Sequence, residues 1–390
     1  MSSQGLRIAY SFPFRLGYPG TGAAALGQIR ALATRGCKVR LFCRYAPEPI
    51  EGVEFVEVGK AVPLPQRWLG ARVACRLHDR LTASLLARSP DAFDVVHTWP
   101  LAAESTLAAA HARGALAVRE APNTHTGHAF EVVAEAHRAL KVPQPSNNSH
   151  TFSGDVLRCE EREYALADLI LAPSEFAIET FLARGVPSWK LALKGYGFAA
   201  QTYASHAGRR ANEQPVFAFV GRCEPRKGLH LALEAWRASG IAERSRFKIL
   251  GDFIPEYRER LRPLLDHPNI SIEGFARDLR PVYKAADVLV LPSLEDGSAL
   301  VTYEAQASGC ALLVSEAAGA RLTDGVQGFV HRVGDVETLA AQMKALADNP
   351  QLLESMQRAA ADNAQHYTWE RCAEGLIQTY QAALKMRCAA

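Results

Sequence analysis

The chain is predicted to be an α/β protein made of two doubly wound, Rossmann-like domains. Short β-rich apolar runs alternate with amphipathic helical stretches, the alternation starts afresh near Val216, and 390 residues exceed the roughly 100–200 of one ordinary domain. Strands that alternate with helices imply parallel sheets joined by right-handed crossovers.

In the first series, residues 6–12 read as a strand, followed by a loop with Gly17, Gly20 and Gly22 and a helix over 23–34 that Gly36 ends. Further strands are expected over 38–43, 53–58, 95–97, 116–119 and 169–173, the last preceded by a helix carrying Glu160, Glu161 and Glu163. The second series places strands over 216–221, 247–251, 269–274, 288–292 and 310–314. Residues 195–214, rich in Gly, Ala and polar side chains, form the expected linker. The domains are therefore expected over 1–200 and 210–368, with no short repeat of the solenoid or propeller kind.

Two segments stand apart. Residues 143–154 (PQPSNNSHTFSG) are polar and turn-rich and read as a mobile loop near the ligand site. Residues 68–86 read as a helix with Leu69, Val73, Leu77, Leu81 and Leu85 on one face and Arg72, Arg76 and Arg80 in a neighbouring stripe. That stripe is either the solvated edge of a core-packed helix or a contact for anionic lipid or an anionic acceptor.

Composition narrows the function class. Apolar residues make up 48% of the chain and charged residues 22%, and 44 Lys+Arg against 41 Asp+Glu leave a net charge of +3. So small a surplus excludes a bulk nucleic-acid binder and an acidic disordered chain. No stretch reaches the roughly 18–20 apolar residues that cross a bilayer, and the polar start leads into a strand, so no signal peptide is expected. The eight cysteines include no Cys-x-x-Cys pair and read as buried reduced thiols. A soluble cytoplasmic enzyme is expected.

Two motifs carry the chemistry. In FAFVGRCEPRKG a strand ends at Gly221, and Arg222, Arg226 and Lys227 follow before a helix. Strand ends are where doubly wound domains bind ligands, and arginine and lysine suit phosphate. In LVLPSLEDGSALVTYEAQASG a buried strand runs into a polar turn with Ser293, Glu295, Asp296 and Ser298, and a helix begins near Ala299. The N–H groups of Ala299, Leu300 and Val301, with the helix dipole, form an expected diphosphate site. Asp296 before that helix and Glu304 in its second turn are placed to accept hydrogen bonds from vicinal sugar hydroxyls.

Taken together, GRCEPRKG and PSLEDGSALVTYEAQASG resemble the retaining nucleotide-sugar glycosyltransferases of the GT-B fold, family 4 (glycosyltransferase group 1). GYPGTGAAALGQIRALATRGCKV, EREYALADLILAPSEF with KGYGF, and YTWERCAEGLIQTYQAAL extend the likeness over nearly the whole chain. The resemblance implies two Rossmann-like domains facing a central cleft, with a C-terminal helix over 369–390 crossing back to the N-terminal domain. It also implies transfer of a sugar from a nucleotide-diphosphate donor to a glycan, lipid-linked or small-molecule acceptor. Retention of configuration is implied, with no metal or other cofactor.

By the same resemblance, Arg222 and Lys227 hold the diphosphate, Glu304 the ribose, and Asp296 the transferred sugar. Asp296 departs from the family's usual Glu, and adjacent Glu295 is the alternative. Ser298 and Ala299 replace the commoner Phe-Gly, and Gly251 and Phe275 lie where the base pocket forms. His125 falls where the family places a histidine near the reacting face of the sugar, with His128 as its rival and Glu120 as a polar partner. Gly20 and Gly22 would let a loop approach phosphate and acceptor.

Rival readings remain. Gly20-x-Gly22-x-x-Ala25 suggests a dinucleotide oxidoreductase, but residues 13–19 form too long a loop before it. A catalytically silent sugar-nucleotide or glycan binder on the same fold is the second, and an inverting enzyme with His125 as base is the third.

Overall fold

The computed structural model describes residues 5–45, 48–59, 66–146, 148–203 and 214–389. In chain order the first elements are β1 (Arg7–Phe12), α1 (Thr21–Thr34), β2 (Lys38–Cys43), β3 (Val53–Glu57), α2 (Gln66–Arg88), β4 (Val95–Thr98), α3 (Glu104–Ala112) and β5 (Leu116–Glu120). Then come α4 (Thr126–Leu140), α5 (Gly154–Leu166), β6 (Leu169–Ala172), α6 (Glu175–Leu182) and β7 (Leu191–Leu193). The second series is β8 (Val216–Val220), α7 (Leu229–Ala238), β9 (Arg246–Leu250), α8 (Pro255–Leu265), β10 (Ile270–Gly274), α9 (Arg280–Ala285) and β11 (Val288–Leu291). It closes with α10 (Leu300–Ala307), β12 (Ala311–Ser315), β13 (Gly328–His331), α11 (Val336–Asp348), α12 (Pro350–Ala364) and α13 (Trp369–Ala389).

The chain forms two compact units. The first holds Met1–Pro122, Ser153–Gly197 and Trp369–Ala390; the second holds Asn123–Phe152 and Phe198–Thr368. α4 and the loop after it thus group with the second unit, as do the residues from Phe198 to Thr368. Part of the expected linker, residues 204–213, lies outside the described residues.

The first unit is a parallel sheet in the order β3-β2-β1-β4-β5-β6-β7. β4 and β6 are buried along their whole length and read as unbroken apolar or β-rich runs, as strands covered on both faces do. Edge strand β3 is largely exposed and carries Glu54 and Glu57 among its apolar residues. α13 packs on α1 because Gly27 leaves room for an indole: a Cβ there would lie 2.2 Å from a ring carbon of Trp369.

The expected apolar face of α2 is corrected. Val73 and Leu85 are exposed, whereas Ala74, Cys75, His78, Asp79 and Leu86 are buried. Gly70 breaks the helix with φ 69°, and polar side chains turn inward because they have partners: His78 Nε2 lies 3.0 Å from Ser11 Oγ, and Asp79 accepts the N–H groups of Ser105 and Thr106. The side chains of Trp68 and Leu69 lie outside the described residues.

The second unit is a parallel sheet in the order β10-β9-β8-β11-β12-β13. β8, β11 and β12 are fully buried, with Phe217, Phe219, Leu289 and Leu313 in the core. Its strand order reverses between β8 and β11, and the carboxyl ends at such a switch point are where open α/β sheets bind ligands. Seven cysteines are buried free thiols among the described residues, and no described helix is long and apolar enough to cross a membrane.

Candidate active site

Both motif loops leave the sheet of the second unit at that switch point. The Arg222–Lys227 loop follows β8, and the Ser293–Ser298 loop follows β11. They are tied together: the Leu294 N–H donates to the Arg226 carbonyl at 2.8 Å. Gly228 permits the approach, since with φ 72° it bears no Cβ that would lie 2.0 Å from the Pro292 carbonyl.

Beneath the loops lies a buried ionic network. Arg226 donates through Nε to Glu224 at 2.9 Å and through Nη1 to Glu295 Oε2 at 3.1 Å, with Asp296 at 3.9 Å. Thr124 Oγ1 donates to Glu295 Oε1 at 2.7 Å, Asn148 Nδ2 donates to Glu224 at 3.2 Å, and His150 Nε2 lies 3.8 Å from Glu295. Burial alone would raise the Glu295 carboxyl, but Arg226 and His150 outweigh it and hold it at about 2. Glu224 is likewise held below the carboxylate range, against burial, chiefly by Arg226. Burial, reinforced by Arg226, pushes His150 down to about 4.

This network decides the geometry of the two acids. Both Glu295 oxygens are engaged and the side chain is wholly buried. Asp296 is buried too but has a different partner, accepting the Gly297 N–H at 3.0 Å and pairing with the Lys227 ammonium. Burial lowers the Lys227 pKa and Asp296 opposes the shift. Arg222 is the most open cation, with 53% of its side chain exposed and Nε 3.7 Å from Glu224.

Helix α10 begins at Leu300, one residue later than expected. The Ala299 N–H already donates to the Ala318 carbonyl at 3.2 Å, which removes it from the expected anion site and leaves the first-turn amides of Leu300 and Val301. The Ser298 hydroxyl donates to Gly319 at 2.8 Å and sits 2.7 Å from the Tyr303 hydroxyl. Glu304, in the second turn, accepts from Tyr283 at 3.0 Å and from Tyr203. Burial nonetheless pushes its carboxyl up to about 7.

Gly251 follows β9 and donates its N–H to Gly274 at 2.9 Å, and Phe275, beyond β10, is exposed. His125 belongs to the second unit, one residue from the Thr124 that binds Glu295; it is buried and caps α4, its Nδ1 accepting the Gly127 N–H at 3.1 Å. His128 lies half-buried in the first turn of the same helix.

The remaining predicted residues belong to the first unit. Gly20 caps α1 with φ 86°, and a Cβ on Gly22 would meet the Arg15 carbonyl. Glu120 is buried 3.3 Å from His97 Nε2.

The sequence pattern missed Arg226 as the centre of the network, and missed Thr124, Asn148 and His150 altogether. The segment 143–154, expected to be mobile, is tied to both motif loops, by Asn148 to Glu224 and by His150 to Glu295, with residue 147 outside the described residues.

Two Rossmann-like parallel sheets, one with a cationic loop and an acidic loop at its switch point, give the chain the GT-B fold. Residues 20–193 match Glycosyltransferase Family 4 and residues 214–349 match Glycosyl transferases group 1. The chain belongs to that family. It is 28% identical to a D-inositol 3-phosphate glycosyltransferase of Kribbella flavida, over 96% of this chain and 94% of the relative. Among solved structures it resembles sucrose-phosphate synthase of Thermosynechococcus elongatus (TM-score 0.71, 18% identity, 99% of this chain and 100% of that one). It also resembles Anabaena HepE in complex with UDP and glucose (TM-score 0.66, 16% identity, 97% and 100%).

Proposed function

We propose that this glycosyltransferase moves a sugar from a nucleotide-diphosphate donor to an acceptor hydroxyl, with retention and without a metal ion. The observation that carries the reading is the pairing of Lys227 with Asp296 at the switch point, on loops that Arg226 and Glu295 fix from below. Scission of the sugar–phosphate bond puts negative charge on the nucleotide diphosphate and positive charge on the sugar. Lys227, Arg222 and the Leu300 and Val301 amides stabilise the first, and Asp296 lies beside the second. Glu304 takes the ribose hydroxyls, Gly251 and Phe275 flank the base, and the departing phosphate accepts the acceptor's proton. His125, held by its cap, contacts the sugar. No side-chain base is then required, and the cations and amides supply the charge that a metal would.

The relatives' names make phosphorylated polyols and sugar phosphates the acceptors to try first. The cytoplasm is the proposed compartment. The test is a thermal-shift screen of UDP, GDP, ADP and their sugars, followed by assay of transfer with the stabilising donor. Stabilisation with subsequent transfer supports the reading; stabilisation without transfer to any acceptor identifies a silent binder, and an inverted product removes the retaining mechanism.

A further inference from the structure

The first unit contains a cavity of about 610 Å³ between α2, α3 and α5, within the size range of small-molecule sites. Arg76 and Arg80 line it, and Arg72 lines a smaller adjoining cavity that shares Arg76 and Cys159. The three arginines are spaced by four residues on α2 and so share one helix face, where like charges repel unless something compensates them.

The acids around the cavity form no ion pair with them. Both Asp79 oxygens accept from the first turn of α3, from Ser105 N–H at 2.8 Å and Thr106 N–H at 2.9 Å. Glu104 is bound by Arg162 at 2.9 Å. Glu163 accepts from Arg119 Nε at 3.1 Å and from the N–H groups of Leu101 and Ala103. Asp155 is paired with Arg158. Arg72, Arg76 and Arg80 make no hydrogen bond or ion pair with any described residue. Every carboxylate at the cavity is thus committed, while three guanidinium groups are not.

We propose that this cavity binds a phosphate-bearing anion, with Arg76 and Arg80 as its principal ligands and Arg72 at its rim. Guanidinium groups match phosphate oxygens bidentately, and a cavity rather than a flat face gives the anion walls as well as charge. The site lies wholly within the first unit and does not rest on the transferase reading.

The experiment is titration calorimetry of the full chain with glycerol 1-phosphate, with chloride at matched ionic strength as the control. A parallel arm measures flotation with vesicles of phosphatidylglycerol in phosphatidylcholine and with phosphatidylcholine alone. The variants are Arg76→Ala/Arg80→Ala and Arg76→Glu/Arg80→Glu, whose exposed side chains are not in the core. Saturable binding of the free ester, weakened at least ~10-fold in the Ala pair and abolished in the Glu pair, assigns a soluble phosphate ester. Flotation with the anionic vesicles alone, lost in the same variants, assigns a lipid headgroup. Absence of binding in both arms, or binding that both variants retain, overturns the site. Nucleotide-induced stabilisation measured in each variant reports on the second unit separately, so failure there leaves this test intact.

Discussion

Arg226 and Glu295 form a buried ion pair at 3.1 Å, and it separates two neighbouring acids that sequence spacing leaves equivalent. Glu295 has its oxygens on Arg226 and Thr124, whereas Asp296 meets Lys227. Removing one partner of a buried pair leaves an uncompensated charge and costs about 3–5 kcal/mol. Glu295→Ala is expected to lower the unfolding midpoint in urea the more, because Glu295 is wholly buried against Arg226, while Asp296→Ala, which strips the slightly more accessible Lys227 of its partner, is expected to lower it less and to reduce turnover. Equal stability of the two variants would remove the division of labour.

In the proposed reaction the Lys227–Asp296 pair would open or share its ammonium with the diphosphate, and Lys227 would follow charge onto the leaving group. Lys227→Ala and Arg222→Ala are each expected to lower kcat/KM at least ~10-fold, about 1.4 kcal/mol of transition-state stabilisation. Transfer is expected to survive EDTA in the wild type. Unchanged kinetics in both variants would dispose of the phosphate site, and loss of all activity in EDTA would dispose of the metal-free reaction.

The acidic loop also sets a direction for pH. Glu295 is depressed to about 2 and His150 to about 4, both below their ordinary values. In each case the unfolded chain binds more protons than the folded one across the interval, so stability rises with pH there. For His150 the window runs from about 4 to its ordinary value near 6.5, and for Glu295 from about 2 to about 4.5. Acidification is therefore expected to remove the contribution of these two groups in two stages, against the opposite contribution of Glu163 and Glu304, whose folded values are raised to about 7. His150→Gln is expected to reduce the upper stage without removing it, because buried His78 and His230 are also depressed, to about 3 and about 4, as read by calorimetry at several pH values.

Much of this was legible in the chain. Apolar runs such as VLVL at 288–291 announce a strand buried on both faces, and the spacing of Asp296 and Glu304 about a helix start is local. β7 and β13 were missed because LAL and GFVH are too short for their periodicity to register. The roles of Arg222, Arg226 and Lys227 could not be sorted from GRCEPRKG, since which cation is buried depends also on carboxylates far along the chain. Asn148 and His150 carry no local signal at all: their partners are Glu224 and Glu295. On α2 the apolar stripe misled because His78 and Asp79 have buried partners that outweigh the exposure of Val73 and Leu85.

Glu304 offers the last prediction. Burial holds its carboxyl up to about 7, although Tyr283 and Tyr203 donate to it. In the unliganded protein it is therefore protonated below that value, and a neutral carboxyl is a poorer acceptor for two ribose hydroxyls than a carboxylate. Nucleotide binding favours the ionised form, so affinity should strengthen as pH rises from about 6 to about 8, by up to ~10-fold for one group titrating near neutrality. Calorimetric titration with the nucleotide selected in the thermal screen measures this. Because the nucleotide's own phosphate also titrates near that range, the comparison is with Glu304→Gln, which keeps the side chain's shape and lacks the proton. The variant should bind more weakly at pH 8 and show a shallower pH dependence than the wild type. Parallel curves for the two proteins would mean that Glu304 does not meet the ribose.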